Sequence, residues 1–315
     1  MSVVEAESDV GDVPMVDVRH PFRRSAARAV GFDPLRMRRE YRRLFHGIYI
    51  SREVEPTPLV LARAVLVSVR GVAWASHATA ARVLRLPIPV LPGEHVTVVD
   101  RNHRRGRPDI TCHSAPSGMV TKVEDVTVSA PSQVFLELAT MISLVDLVVV
   151  GDHMVRKGMI SLGSLVAACQ AASGPGADLA REAVSYVREG VDSPMETRTR
   201  MLIVLAGLPE PEVNALVGNE TELRRYDLSY RASRTIVEYD GRAHIEREEQ
   251  WESDLVRREK IDDDEWRIIV VIAKGIYKTP GDTLERIHRV LRKRGEPGVL
   301  AVLSDRWKAH FPGYE

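Results

Sequence analysis

The sequence predicts a multi-domain α/β protein, and three observations predict it. A chain of 315 residues has the length of two or three domains. Its hydrophobic content of 44% is enough for each of them to bury a core. Along the chain, apolar residues spaced by three and four repeatedly give way to strand-like alternation, which reads as helices interleaved with strands.

Residues 1–18 open with the acidic, hydrophilic stretch Glu5–Asp12 and are expected to form a flexible tail. Residues 19–58 read as a winged-helix-like module. Pro21–Arg43 has helical spacing broken at Gly31 and at the turn Asp33-Pro34, which predicts two short helices. Leu44–Ile50 is aromatic and β-branched, as in the strand or hairpin of a wing. Arg36, Arg38, Arg39, Arg42 and Arg43 are placed at the second helix, where they would meet DNA phosphates.

Residues 59–190 read as a central α+β domain. Helices are predicted over Leu59–Val69 and Ser76–Leu86, the second stopped by Pro87, Pro89 and Pro92. Alternation over Glu94–Asp100, Ile110–His113 and Val120–Val128 predicts a small antiparallel sheet. Between its first two strands lies the basic run Arg101–Arg107, in which Arg104 and Arg105 are further candidates for DNA contact. Helices follow over Pro131–Val149, capped by Ser129 or Ser132, and over Ser161–Ala172. Ser173-Gly174-Pro175-Gly176 breaks the chain.

Residues 191–295 form the last predicted domain, and 296–315 a C-terminal tail. Ser193-Pro194-Met195-Glu196 is a helix start in which Ser193 caps, Pro194 takes the first helical position and Glu196 completes a capping box. Strands over Val213–Val217, Tyr226–Tyr230 and Thr235–Asp240, a charged helix over Glu246–Lys260, a strand over Trp266–Ile272 and a basic helix over Asp282–Arg294 predict a mixed sheet with flanking helices.

Bulk composition excludes several classes. The formal net charge is +0, so attraction to nucleic acid must come from the local arginine clusters. Cys112 and Cys169 are isolated from each other and from histidines at zinc spacing, so their pattern suggests neither a disulfide framework nor a structural zinc site. The most apolar run, Met141–Val150, is too short to span a bilayer and contains Asp146. No secretory signal is read at the start, and a cytoplasmic protein without a membrane role is expected.

The chemistry concentrates in the last third. Residues two apart on a strand share a face, so Glu238 and Asp240 project together. A hairpin turning near Ala232-Ser233 brings Asp227 beside Glu238. Three crowded carboxylates favour a neutralising cation, and oxygen ligands of this kind select Mg2+ or Mn2+. Ordinary surface ion pairs with Arg224, Arg225, Arg231, Arg234 or Arg242 would explain the same acids. Capping alone would explain Glu196.

These motifs carry a resemblance. The ordered set Ser193-Pro194-Met195-Glu196, Gly207-Leu208-Pro209, Tyr226-Asp227-Leu228, Val237-Glu238-Tyr239-Asp240-Gly241, His244, Trp251, Asp254, Arg257 and Trp266 resembles the Vsr-like endonuclease domains of actinobacterial proteins, in the PD-(D/E)XK superfamily. The resemblance covers residues 191–295. It implies a metal-dependent endonuclease in which Glu196, Asp227, Glu238 and Asp240 hold Mg2+ or Mn2+. Asp240 stands where the wider superfamily often has lysine, a departure shared with the Vsr-like branch, and His244 is the candidate to assist by proton transfer. A second departure is the acidic run Asp262-Asp263-Asp264-Glu265 before Trp266, where relatives carry an uncharged turn. Upstream, Phe45–Ile50, Ala75–Ala81 and Val149-Val150-Gly151-Asp152 are similar to stretches of the same proteins, and the N-terminal module resembles the winged helix of AbiE-type antitoxins, which are DNA-binding repressors.

The expected function is a DNA-binding endonuclease acting in DNA repair or phage defence, with an antitoxin-like repressor built on a degenerate nuclease fold as the alternative. DNA is the expected partner, and a homodimer through the N-terminal or central region is a further expectation.

Overall fold

In the computed structural model the described residues are 16–104, 107–218, 223–241 and 266–313. They form a mixed α/β chain with three sheets and, among the described residues, eleven α-helices. None of these helices is long and apolar enough to cross a membrane. The chain divides into two compact units: one holds the described residues up to Arg85 together with Val90–Val134, the other Leu86–Pro89 and the described residues from Phe135.

The first unit opens with β1 (Phe22–Arg23), α1 (Arg24–Ala29) and α2 (Pro34–Glu40), followed by the hairpin β2 (Tyr41–Phe45) and β3 (Ile48–Ser51). Asp33 caps α2 by accepting from the backbone N–H groups of Leu35 and Arg36. Gly47, in the turn between β2 and β3, has φ 75°, the left-handed conformation a two-residue hairpin turn requires. The three strands form an antiparallel sheet in the order β1-β3-β2. Phe22, Ala27, Met37 and Tyr41 make a small core, with the Phe22 and Tyr41 rings edge-to-face at 5.2 Å.

Then follow α3 (Pro58–Ser68), β4 (Ala73–Ala75), α4 (His77–Val83), β5 (Glu94–Val98), β6 (Ile110–Ser114), β7 (Val120–Val123) and β8 (Val126–Ser129). Their sheet has the order β6-β5-β4-β8-β7. It corrects the antiparallel sheet expected here: β5 runs parallel to β6, and β4 parallel to β8. Phe45 and Ile48 of the hairpin share a core with Ala64, Val65, Val96, Val98, Ile110 and Cys112. The boundary expected after residue 58 therefore does not coincide with the division into units, because one set of apolar side chains spans it.

Pro131–Val149, expected as one helix, is two: α5 (Pro131–Leu138) and α6 (Leu144–Arg156). Ser143 restarts the helix by accepting from Asp146 N, a cap the sequence reading placed earlier. The second unit continues with α7 (Leu162–Ala171), α8 (Ala177–Tyr186), not anticipated, and α9 (Pro194–Leu205). Next come β9 (Glu212–Gly218), β10 (Leu223–Tyr230), β11 (Thr235–Tyr239), β12 (Arg267–Val271), α10 (Ala273–Tyr277) and α11 (Pro280–Lys293). The sheet order is β12-β11-β10-β9, with β9, β10 and β11 an antiparallel meander and β12 parallel to β11. Residues 296–313 are not a free tail. Ser304 N donates to Ala206 O at 2.8 Å, Phe311 is buried, and Arg306 donates to Tyr186 Oη at 2.8 Å.

Candidate functional site

The acids expected to form a site lie on α9 and on or just past the strands of the meander. Ser193 caps α9 by accepting from Glu196 N at 3.2 Å, and Pro194 occupies the first turn. Glu196 is only 7% exposed. Its Oε2 accepts from Asp192 N at 2.9 Å and from Asn214 Nδ2 at 3.2 Å, so the carboxylate is tied into the loop before its helix and to β9. Asn214 has φ 48°, a left-handed conformation that asparagine tolerates better than most residues.

On the neighbouring strands the pairs Tyr230↔Thr235, Ser229↔Ile236 and Leu228↔Val237 fix the register. The ladder ends there, and Asp227 and Glu238 are the next residues along β10 and β11. Asp227 Oδ2 accepts from Tyr239 N at 2.9 Å. Past the end of β11, Asp240 N donates to Val271 O at 2.8 Å, which carries the backbone line of Glu238 on to Asp240. Asp227, Glu238 and Asp240 are half-buried. The Tyr239 hydroxyl is pushed up from its ordinary pKa by burial, with Tyr277 and Asp240 adding to the effect.

Of the arginines named as rival partners, Arg225 pairs with Asp192 at 2.8 Å and Arg231 with Glu212 at 2.8 Å. Among the described residues, the acids of this sheet are not a set of three ligand oxygens within 4.8 Å of one another; the set that meets that condition is His77, His95 and His113. His244 and the acidic run 262–265 lie outside the described residues, as does the helix expected over Glu246–Lys260.

Beneath α9 lies a second charged network, which sequence reasoning missed. Arg200, fully buried, donates from Nη2 to Asp152 Oδ2 at 2.9 Å and from Nη1 to Glu210 Oε1 at 3.0 Å. Asp152 on α6 also accepts from Arg188 N and Thr197 Oγ1, each at 2.8 Å. Burial pushes the Asp152 carboxyl up from its ordinary value, against the opposing pull of Arg200. The signal was Asp152 itself, which directly follows the apolar run Leu147-Val148-Val149-Val150-Gly151, a setting in which only a partner makes a carboxylate tolerable.

The basic residues fall into two groups in the first unit. Arg36, Arg38 and Arg39 are on α2, whereas Arg42 and Arg43 lie on β2, because Tyr41 ends the helix and begins the strand. Arg36 is held by Glu40 at 3.0 Å and lies 4.0 Å over the Phe32 ring. Arg42 donates to Arg52 O at 2.9 Å, and Arg104 to Cys112 O at 2.9 Å. Arg38, Arg39 and Arg43 are exposed. Arg107 donates to His46 O at 2.9 Å, which brings the basic run after β5 against the hairpin turn; Arg105 lies outside the described residues. Compared with models of known protein families and with curated proteins, the chain matches none.

Proposed function

We propose that the chain is a DNA-binding protein whose C-terminal sheet forms a Mg2+- or Mn2+-dependent phosphodiesterase. The observation behind this reading is that Asp227 and Glu238 lie directly beyond the last paired residues of adjacent strands and Asp227 accepts from Tyr239 N, with Asp240 two residues on from Glu238. The succession of α9, an antiparallel meander and a fourth strand parallel to the third supports it as well. The donor set is all carboxylate oxygen, which fits a hard cation, and the residues proposed to hold it are Asp227, Glu238 and Asp240, with Glu196 as a further candidate. A bound ion of this kind supplies polarisation of a phosphoryl oxygen and a more acidic water. The Tyr239 N–H orients Asp227, while Asn214 and the Asp192 N–H orient Glu196. Asp240 offers no ammonium where the wider PD-(D/E)XK superfamily often has lysine, so proton transfer is assigned to His244 in this reading.

The test is incubation of the purified chain with supercoiled, linear and single-stranded DNA in the presence of Mg2+ or Mn2+. Cleavage is expected, and Glu238→Gln and Asp227→Asn should lower its rate by about 100-fold or more while circular dichroism shows the fold retained. Wild-type rates in both variants would remove the reading.

A second reading, a repressor that keeps the nuclease fold as scaffold, is favoured by one observation: Glu196 and Asp227 already accept backbone N–H groups, as structural carboxylates do. Calorimetry that detects neither Mg2+ nor Mn2+ binding, with salt-sensitive DNA binding intact, would select it.

Both readings share a DNA interface on the first unit. Arg38→Ala, Arg39→Ala and Arg43→Ala are each expected to weaken binding to any duplex, and to reduce the slope of log affinity against log salt by roughly 0.9 per lost phosphate contact. An unchanged slope in the triple variant would move the interface elsewhere.

A further inference from the structure

Three histidines distant in sequence meet on the face of the five-stranded sheet opposite its apolar core. Val96, Val98 and Cys112 point into that core, so His95 and Thr97 on β5, and His113 on β6, point away from it. In the parallel register Thr97 pairs with His113, which makes His95 and His113 diagonal neighbours. His77 reaches the same face from the first turn of α4, held there because Ser76 N donates to His95 O at 3.2 Å.

The three rings lie close and nearly parallel. His95 Nδ1 and His113 Nε2 are 3.0 Å apart, and the rings of His77 and His113 stack at 3.8 Å. One ring nitrogen from each of the three falls within 4.8 Å of the others. His77 Nδ1 is 3.0 Å from Ser76 Oγ, which in turn accepts from Thr97 Oγ1 at 2.9 Å. Outer contacts of this kind fix the tautomer and orientation of a metal-binding imidazole. His77 also has φ 52°, a conformation that costs a non-glycine residue free energy and is retained where surrounding structure demands it.

Burial keeps all three rings neutral at pH 7: His77 is lowered to about 3 and His95 to about 4, and His113 is lowered with Arg104 contributing. Neutral imidazoles are the ligand form, and nitrogen donors suit zinc-class ions over the Mg2+ and Mn2+ that carboxylates select. A simple hydrogen bond between His95 and His113 would explain the 3.0 Å contact without an ion, and the two arrangements differ in what they bind.

We propose that His77, His95 and His113 form a site for a zinc-class divalent ion, with three imidazole nitrogens as ligands and the fourth tetrahedral position left to water. Three histidines with an open fourth position is the arrangement of reactive rather than purely structural zinc.

The test uses the untagged full chain, stripped with a chelator and then freed of it. Titration with Co2+ is expected to give the visible absorption of a tetrahedral complex, displaced by one equivalent of Zn2+ and unaffected by excess Mg2+. Zn2+ should raise the Tm of the wild-type chain. His95→Gln and His113→Gln should each weaken Zn2+ binding by at least about 100-fold, more than loss of an outer-shell partner. No Co2+ absorption and no stoichiometric Zn2+ binding by the folded wild-type chain would overturn the proposal. So would a full equivalent of Zn2+ retained by the folded double variant.

Discussion

Replacing Arg200 with Met is expected to destabilise the folded chain by about 3–5 kcal/mol, the usual cost of breaking a buried ion pair from one side. Arg200 is 0% exposed and Asp152 2%, so neither charge reaches water when its partner is lost. The guanidinium spans two carboxylates, Asp152 at 2.9 Å and Glu210 at 3.0 Å, and so joins α6, α9 and the segment before β9. Arg200→Lys would replace a two-armed donor by a point charge and is expected to recover only part of the loss. Asp152→Asn combined with Arg200→Met should cost less than the sum of the single changes, because the double variant buries no lone charge. Asp152 already has a raised carboxyl pKa, and without Arg200 it rises further. A raised folded pKa for an acid means stability is lost as pH rises through it, so the deficit of Arg200→Met should narrow on acidification. Urea denaturation of wild type, both single variants and the double variant at two pH values measures all of this. Additive single effects below about 1 kcal/mol would show that the network is not coupled.

Which features were legible in the sequence follows from the range of the interactions that make them. The start of α9 was readable because Ser193, Pro194 and Glu196 act within one turn, and the alternation of Glu238 and Asp240 because a strand has period two. The hairpin of β10 and β11 was readable because a short antiparallel hairpin fixes register locally. Arg42 and Arg43 were assigned to a helix because nothing local announces that Tyr41, buried in the N-terminal core, turns the chain into β2. β4 spans only Ala73–Ala75, too short to show a period, and it belongs to the sheet through β5 and β8. The histidine cluster was illegible for the same reason. His95 and His113 meet only because β5 and β6 are parallel, a pairing set by tertiary packing and invisible to spacing rules built for zinc fingers.

Acidification is expected to destabilise the metal-free chain through the same cluster, by on the order of 3 kcal/mol from His95 alone at pH 4 or below. His95 is 6% exposed, and its pKa falls from 6.5 to about 4, first through burial and then through His113 and Arg82. His77 falls to about 3 through burial, His113 and His95. The charged groups around them are Arg82, which pairs with the buried Glu94 at 3.0 Å, and Arg104 beside His113. The unfolded chain takes up protons near pH 6.5 while the folded cluster does not, so the unfolded state binds more protons between those values. Stability is therefore fully present above about pH 6.5 and is lost as the pH falls towards 4 and then 3. Carboxylates throughout the chain titrate in the lower half of that window, so the informative quantity is a difference. The stability of the chelator-treated wild type should fall more steeply from about pH 7 to about pH 4.5 than that of His95→Gln, which has no proton to take up at that position. Parallel pH profiles for the two proteins would mean that the imidazole is protonated without cost in the folded state. That outcome would place His95 in contact with water rather than buried between β5, β6 and α4.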